Sequence, residues 1–541
     1  MIDARELRGL RKLDDDLLSA FVARYPKSLY ARGWRNSQVK RICSRKTSPM
    51  KELNALERLF RRKGAFDIRF ERRLWTDLDG DRKPLTMARA AATEMWPMGT
   101  HYWLRDNSII GARYLASRRA SERRMGKELL LSGLTFISSL SQLRRFESVI
   151  RSKKRGYETD PAHWPYIFAG IENNLNCAGE ESWAHKQDAW QILAWHLLNA
   201  IESGVILPRE LTKKHRRFLG LIIPFVAKVK FYRCENSGSW EEIPAIRSSV
   251  RAWEHRLIVR LSECARRRSF SFLVRDFERF RRFLGASMRR KTLQEAVADL
   301  DTTACNAMMR DLPWESPAYS ARDVRYRRAD AALIYLLELE YIKFLGERSG
   351  RSRSWIKSME QRLLAIILGL QDKRTGALAR YKNDSYQRAG FFRNLTVARL
   401  NALCGAPSGD ASGHLSGRDR IVPKGRTAAW THFVWQLASW SGMRFLESGD
   451  RQFLRQHAVF FRQGLQLLTG SGEGSLDVDP RGRVQAIRVA AFRMPECFIS
   501  DLDGRGRDLV FPSPHTPLNW ATAEMLHAFT VRRQVLDAAK L

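Results

Sequence analysis

From about residue 84 to its end, the chain is a succession of amphipathic helical patterns separated by loops. Within each pattern, apolar residues recur at i, i+3, i+4 and i+7, the spacing that places them on one helix face. Segments such as DAWQILAWHLLNAI, ADAALIYLLELEYIKFL and LNWATAEMLHAFTVRRQVL show this spacing. Alternating strand patterns are rare, and no repeat of about 20 to 50 residues can be aligned, which disfavours a regular solenoid. We therefore predict an all-α fold, a closed toroid of helical hairpins with its functional residues in the loops at one rim.

Two parts of the chain depart from this succession. Residues 1–75 form helical patterns rich in basic residues, and we predict a basic helical N-terminal extension ahead of a barrel domain spanning residues 76–541. The extension either packs against the main body or presents its basic run at 61–63 to an anionic partner. The segment at about 387–424 is polar, and rich in Gly and Ser in its second half, which predicts an insertion beside the barrel.

The chain is strongly basic, with 94 Lys and Arg against 58 Asp and Glu and a formal net charge of +36. A charge of this size attracts polyanions through counterion release at low salt. The basic residues are nevertheless spread over almost every helical pattern, without zinc-finger spacing or an RNA-binding aromatic motif. We predict a broadly basic surface with weak polyanion binding, and we keep a polyanion-binding protein as an alternative function.

Cysteine spacing and hydropathy indicate the compartment. Seven cysteines are widely spread and never form a Cys-x-x-Cys pair, which argues against a disulfide framework and a zinc site. No run of about eighteen uncharged apolar residues could span a bilayer, and the N-terminus lacks the apolar centre of a secretory signal. We expect a cytoplasmic protein with free thiols and with no cofactor, bound metal or membrane association. These patterns leave its oligomeric state open.

One loop carries two adjacent acids behind an indole, namely Trp240, Glu241 and Glu242 within CENSGSWEEIPAIRSSV. An apolar wall and a like-charged neighbour both disfavour the ionised form of a carboxyl group and raise its pKa. Such a group can donate a proton at neutral pH. In the alternative interpretation, both glutamates are solvated loop acids or first-turn residues favoured by the positive end of a helix.

A second loop, MWPMGTHYWLRDN, places Trp103 just before Arg105 and Asp106. This combination suits a sugar, because C–H faces of a sugar stack on rings while its hydroxyls need fixed donors and acceptors. A core aromatic cluster with a helix-capping ion pair would have the same residues.

Three further loops combine similar residue types. EESWAHKQDAWQ places Trp183 at the entrance of a helical pattern, and TGALARYKNDSYQR sets Arg380 four residues before Asp384. These two loops also suit a helix first turn and a structural ion pair. FRMPECFISDLDG holds Glu496 after a proline, and a single Pro-Glu pair is weak evidence by itself.

The order of these motifs resembles a known family. WLRDN, SWAHKQDAW, SWEEIP, LARYKNDSY, MPEC and TPLNWATAE are similar to the successive loop motifs of glucoamylase-type glycoside hydrolases, family fifteen. That family includes bacterial trehalases and glucodextranases, and the regulatory subunits of phosphorylase kinase carry the same kind of domain. The resemblance covers roughly residues 84–541. It implies an (α/α)6 barrel whose rim loops form a pocket for a terminal α-glucosyl unit.

The resemblance also implies roles for individual residues. By position in the motifs, Glu241 would be the general acid and Glu496 the general base of an inverting hydrolase, which would release glucose from the non-reducing end of an α-glucan or α-glucoside. The implied substrate-binding residues are Trp103, Arg105, Asp106, Trp183, Trp240, Glu242 and Arg380.

The sequence departs from the family pattern at three places. Cys497 follows the implied base where the family usually has Gln. About forty residues separate the Arg380 motif from Ala429 and Trp430, where the family continues quickly into Asn-Pro-Trp. The N-terminal β-sandwich of bacterial members has no counterpart in the first 75 residues. The bond cleaved, α-1,4, α-1,6 or α,α-1,1, stays open, and a catalytically silent regulatory or scaffold protein on the same barrel is an alternative.

Overall fold

The computed structural model describes residues 4–30, 33–76, 82–89, 102–153, 168–169, 188–236, 238–240, 244–323, 325–382, 384, 428–478, 484–502 and 505–541. Most of these residues are helical. In chain order the α-helices are α1 (Ala4–Arg24), α2 (Ser37–Cys43), α3 (Pro49–Lys63), α4 (Leu104–Leu115), α5 (Ala120–Ile137), α6 (Leu140–Arg151), α7 (Asp188–Glu202), α8 (Lys213–Val229), α9 (Ser248–Cys264), α10 (Ser271–Phe280), α11 (Ala286–Arg289), α12 (Leu293–Asp311), α13 (Ile334–Glu338), α14 (Tyr341–Arg348), α15 (Arg353–Leu368), α16 (His432–Ser448), α17 (Arg451–Gln466) and α18 (Asn519–Ala539).

The strands are short and antiparallel. They are β1 (Phe70–Thr76), β2 (Arg82–Ala88), β3 (Tyr102–Trp103), β4 (Phe168–Ala169), β5 (Leu378–Ala379), β6 (Ala429–Trp430), β7 (Glu473–Val478), β8 (Val484–Val489), β9 (Cys497–Leu502) and β10 (Asp508–Pro512). Strands β1 and β2, β3 and β4, and β7 and β8 form two-stranded sheets. The remaining strands form one four-stranded sheet in the order β10-β9-β6-β5.

Six helices form a closed inner ring. Helix α4 packs on α7, α7 on α9, α9 on α13, α13 on α16, and α16 on α18, which returns to α4. Helices α5, α8, α12, α15 and α17 each lie between successive inner helices in the chain and pack outside the ring, and α3 packs on the outside of α18. The predicted all-α toroid of helical hairpins is therefore confirmed.

Local sequence signals define the helix ends. In α3, the Ser48 side chain accepts a hydrogen bond from the Lys51 amide, and Pro49 occupies the first turn. The helix ends at Gly64, whose φ of 65° is a left-handed conformation that glycine adopts at little cost. Helix α12 begins with a capping box in which Thr292 and Glu295 each bind the other's backbone amide.

The first 75 residues share the core of the rest of the chain. Phe60 and Phe66 pack against Phe529 of α18 with ring centroids 5.2 and 5.1 Å apart. Arg533 of α18 donates to the side chain of Glu57 at 2.7 Å. The extension predicted at 1–75 is helical up to Lys63. Its last residues, from Phe70, belong to strand β1, which pairs with β2. A domain boundary at 75–76 stays a prediction, and the insertion predicted at about 387–424 lies outside the described residues.

Within the described part of the chain, no helix combines the length and apolar character that crossing a bilayer requires.

Helices α4 and α5 approach closely at a glycine. A Cβ atom on Gly126 would lie 2.6 Å from the carbonyl oxygen of Gly111 and 2.7 Å from the amide nitrogen of Leu115. Both atoms belong to the backbone, so only movement of α5 relative to α4 could make room. The contact between the first inner helix and its outer partner therefore requires glycine at this position.

We predict that Gly126→Ala lowers the free energy of unfolding by about 1–3 kcal/mol through this overpacking, even though alanine favours a helix by about 1 kcal/mol over glycine. Urea unfolding monitored by circular dichroism measures the change. Gly285→Ala is the matched control, since a Cβ there meets nothing within 4 Å, and we expect a change within about 0.5 kcal/mol. Equal losses in the two variants would contradict the close approach.

Candidate active site

The inner helices of the ring all begin at one end of the barrel. Each inner helix is followed by an outer helix that returns the chain, so the six N-termini share a rim. Asp106 and Asp188 lie in the first turns of α4 and α7, where the positive helix end favours a negative charge. The described residues among those singled out in the sequence lie at or near this rim.

Trp240 is held rigidly on this rim. Its indole Nε1 donates to Oδ1 of Asp330 at 2.7 Å, and Arg327 Nη1 donates to Oδ2 of the same carboxyl group at 3.0 Å. The backbone amide of Ala332 also donates to Asp330. Asp330 precedes inner helix α13, so the ring fixes the orientation of the indole that stands directly before Glu241.

Arg380 forms a buried, two-pronged ion pair with Asp384. Its Nε and Nη2 donate to the two carboxylate oxygens, each at 2.7 Å. The guanidinium carbon lies 5.5 Å from the ring centroids of both Trp240 and Trp430. Arg380 and Asp384, four residues apart in the sequence, therefore form an ion pair. This pair lies next to the indoles of Trp240 and Trp430.

A small sheet brings Glu496 to the same place. Strand β6 pairs with β5 on one side and with β9 on the other, so Trp430 lies opposite Leu378 and Cys497. Arg380 follows β5 directly, and Glu496 precedes β9 directly. The indoles of Trp430 and Trp240 are 5.7 Å apart. Arg380, Trp240 and Glu496 thus come from distant parts of the sequence and meet at one rim.

The backbone of Glu496 is held on both sides. Its amide donates to His515 O at 3.0 Å, and its carbonyl accepts from the Thr431 amide at 3.2 Å. The side chain retains only limited access to solvent, with 8% of the residue exposed. The backbone that carries this carboxyl group is therefore fixed, and the residue is still reachable by a small molecule such as water.

Burial and nearby charged groups shift the pKa of the Cys497 thiol. Burial raises the pKa of the Cys497 thiol well above its usual range, and the nearby negative charges of Glu496 and Asp384 add to the effect, while Arg380 opposes it. The Sγ atom lies 4.0 Å from Oε2 of Glu496. The thiol therefore stays neutral beside Glu496. Glucoamylase-type hydrolases usually have the amide of a glutamine at this position.

Arg105 connects the first inner helix to the Trp240 loop. Its Nη1 donates to Ser239 O at 2.9 Å and approaches Oδ2 of Asp188 at 3.4 Å. Its Nε lies 3.4 Å from Oδ1 of Asp106. Trp103, the residue before α4, is buried in strand β3. The structure therefore brings Arg105 and Asp106 to the same rim as Trp240.

His432 is a candidate site residue that the sequence does not reveal. Neither ring nitrogen has a hydrogen-bond partner among the described residues, although the side chain is fully buried. The imidazole stacks on Trp520 with centroids 4.3 Å apart, and burial together with the charge of Arg105 lowers its pKa to about 3. A neutral imidazole can donate one hydrogen bond and accept another, which suits a hydroxyl group. Nothing in the local sequence distinguishes His432 from a core histidine.

Three predicted site residues, Glu241, Glu242 and Trp183, lie outside the described residues. The roles predicted for them, and the distance between the carboxyl groups of Glu241 and Glu496, stay predictions. Asp330, like His432, was missed, because an aspartate at the start of a helical pattern is also an ordinary capping residue.

Polar side chains continue along the barrel axis below the rim. Arg113 donates to Glu524 at 2.9 Å and to Glu338 at 2.7 Å, so one guanidinium joins inner helices α4, α18 and α13. Trp520 Nε1 donates to Glu524 at 3.2 Å, which links this axial cluster to the rim. Burial raises the pKa of Glu338 to about 7, with the attraction of Arg113 opposing this rise and the repulsion of Glu524 adding to it.

Away from the rim, the described residues include one group of side chains of the types that bind metal ions. The donor atoms of His255, Asp301 and Cys305 lie within 4.8 Å of one another. His255 Nε2 is 2.7 Å from Asp301, and its Nδ1 is 2.7 Å from the hydroxyl of Tyr341. These contacts satisfy both ring nitrogens, so a polar contact between α9 and α12 accounts for the group. We assign it no ion.

The barrel and its rim define a six-hairpin helical toroid with aromatic and charged residues clustered at one end. Among solved structures, a glycosidase variant is similar with 13% identity and a TM-score of 0.49, over 91% of this chain and 99% of that one. A glucoamylase from Saccharomycopsis fibuligera is similar at 12% identity, with a TM-score of 0.45 over 83% and 89% of the two chains. A family 15 glucoamylase from Hypocrea jecorina has 12% identity and a TM-score of 0.42 over 83% and 67%. No protein-family model and no curated protein sequence matches the chain.

We predict that Arg113→Met lowers the free energy of unfolding by about 3–5 kcal/mol, because it leaves two buried carboxyl groups without their cation. Without the cation, the pKa of Glu338 rises further, because the attraction of Arg113 is what opposes its rise. A carboxyl group with a raised folded pKa contributes stability that is lost as pH rises through that value. The deficit of the variant relative to the wild type is therefore larger at pH 8 than at pH 5, as measured by urea unfolding at both values.

Arg310→Met is the control for this prediction. Arg310 pairs with Asp311, but its side chain is 72% exposed, so we expect a change below about 1 kcal/mol. A deficit in Arg113→Met that does not vary with pH would show that the axial carboxyl groups are not the cause.

Proposed function

We propose that the protein is an inverting glycoside hydrolase that releases glucose from the non-reducing end of an α-glucan or α-glucoside. The observation that carries this proposal is the meeting of Glu496 with Arg380 and Trp240 at one rim, although these residues are far apart in the sequence. A buried carboxylate beside fixed aromatic and guanidinium groups suits a sugar-sized substrate. The motif order adds Glu241, the residue immediately after Trp240, as the second carboxyl group.

Two carboxyl groups in different ionisation states perform the reaction. Protonated Glu241 donates its proton to the glycosidic oxygen as the bond to the anomeric carbon breaks. Ionised Glu496 accepts a proton from a water molecule that attacks the opposite face of that carbon. Room for this water requires about 6.5–9.5 Å between the carboxyl groups, whereas a retaining enzyme would place them about 5–5.5 Å apart.

The surrounding residues position the sugar. Arg105 and Asp106 offer donors and acceptors to its hydroxyl groups on one side, and Arg380 offers donors on the other. Their existing ion pairs hold these groups in place before substrate arrives, which lowers the cost of orienting the substrate. Trp103, Trp183 and Trp240 supply apolar faces, and Glu242 binds the adjacent sugar unit.

Maltooligosaccharides test the proposal directly. We predict that Glu241→Gln and Glu496→Gln each lower kcat/KM for glucose release by about 10²–10⁴-fold, the usual contribution of a general acid or base. A coupled assay for free glucose measures the rates. Glu235→Gln is the matched control from the same loop, because the Glu235 side chain is 43% exposed and pairs with Arg325, and we expect activity near that of the wild type.

The anomer of the product separates the two stereochemical courses. Inversion of an α-linked substrate gives β-glucose first, which proton NMR detects before mutarotation. Initial α-glucose would indicate retention, and full activity in both glutamine variants would overturn the assignment. Maltooligosaccharide binding without any glucose release, with α,α-trehalose and α-1,6-linked substrates also uncleaved, would indicate a silent barrel.

A further inference from the structure

A wide groove lies at the end of the barrel opposite the candidate site. Its volume is about 1080 Å³, and residues of α2 and α3 form most of its lining, together with Arg119. Arg119 follows the C-terminal end of α4, whereas Arg105 lies at the beginning of that helix. The length of α4, about 1.5 Å per residue, therefore separates the groove from the rim, and the two can be tested independently.

The lining is unusually rich in arginine. Among its described residues there is one acid, Glu57, and no lysine. The six arginines are Arg41, Arg45, Arg58, Arg61, Arg62 and Arg119.

Most of this positive charge has no acidic partner among the described residues. Glu57 is occupied by Arg533 of α18 at 2.7 Å, and Arg61 is paired with Glu122 of α5. The other five arginines are exposed and form no ion pair with a described residue. Five guanidinium groups of like charge around one concavity repel one another, so a bound anion would relieve the repulsion as well as gain direct contacts.

The chemistry of the lining narrows the class of anion. Guanidinium groups bind phosphate through paired hydrogen bonds in a fixed planar geometry, which lysine cannot provide. The described lining contains no aromatic ring. Recognition of a neutral sugar or of an unstacked base normally uses aromatic stacking, so the lining favours contact with phosphates alone.

Helix geometry supplies a regular spacing of charge. Arg58 and Arg62 are four residues apart on α3, while Arg41 lies on α2 and Arg45 follows the end of that helix. Along a helix, four residues rise about 6 Å. A pair of guanidinium groups at this spacing, with three further exposed arginines around the same groove, suits a chain of successive phosphates better than a single phosphate group.

We propose that this groove binds the phosphate backbone of a nucleic acid, independently of base sequence. The binding rests on charge and phosphate geometry, so it falls with added salt through counterion release. The net charge of +36 raises the local concentration of such a ligand around the whole molecule. The groove then determines where the strand is held.

Fluorescence anisotropy with a labelled single strand of about 20 nucleotides tests this proposal. Each neutralised phosphate of a single strand contributes about −0.7 to the slope of log K against log salt. The triple variant Arg41→Gln, Arg58→Gln, Arg62→Gln should therefore reduce the steepness of that slope by about 2. At about 0.1 M salt the same arithmetic predicts roughly a 100-fold loss of affinity.

The matched control is the triple variant Arg353→Gln, Lys357→Gln, Arg362→Gln. It removes three exposed basic side chains from α15. It carries the same net charge as the groove variant, and we expect less than a threefold loss of affinity. Circular dichroism and urea unfolding of both variants establish that each is folded, which the exposure of all six side chains favours.

Three outcomes would overturn the proposal. Equal losses in the two variants would mean that diffuse charge, not the groove, binds the strand. No binding by the wild type at about 50 mM salt would exclude the ligand class. Groove-dependent binding to vesicles of anionic lipid without binding to the oligonucleotide would identify a membrane surface instead. Glucose release from maltooligosaccharides is measured in parallel and should be unchanged in the groove variant.

Discussion

Alternation between inner and outer helices is the constraint on which the rest of the structure depends. Each outer helix returns the chain to the same end of the barrel, so every inner helix starts at one rim. The partial positive charges of these helix ends converge there, and the buried carboxylates of Asp106 and Asp188 lie in that field. The same field opposes a protonated carboxyl group, so an acid that must keep its proton needs the apolar environment of the neighbouring indoles.

The cluster of charged side chains on the axis of the ring is a second feature, and it costs desolvation free energy. Burial of a charged cluster rarely stabilises a fold more than an apolar core of the same shape would, because the ions lose their hydration. Arg113, Glu338 and Glu524 nevertheless come from three different inner helices and satisfy one another. Since a shifted helix would leave a buried charge without a partner, this arrangement favours one register of the ring over others.

The sequence predicted the helices and the ring well, because apolar spacing is a local signal that burial reinforces. It also predicted that Arg105, Trp240, Arg380 and Glu496 belong together, through the order of the motifs. It could not predict the small sheet that joins β5, β6 and β9, since strands of two residues leave no periodic pattern. Asp330 and His432 were missed for a related reason, because their roles depend on tertiary neighbours. The strand Phe70–Thr76, at the end of the extension predicted as helical, could not be predicted either, because pairing with β2 decides its conformation.

The contact between the first and last inner helices, which closes the ring, also affects how the chain folds during its synthesis. Helix α4 packs on α18 (Asn519–Ala539), the last member of the ring in chain order. During synthesis from the N-terminus, the apolar faces of the earlier inner helices therefore have no complete set of neighbours until α18 has emerged. A nascent chain of this kind exposes aggregation-prone surface for most of its translation. Its yield in cells should then depend on chaperones that bind such surfaces, and a premature stop just before α18 should be as damaging as one in the middle of the ring.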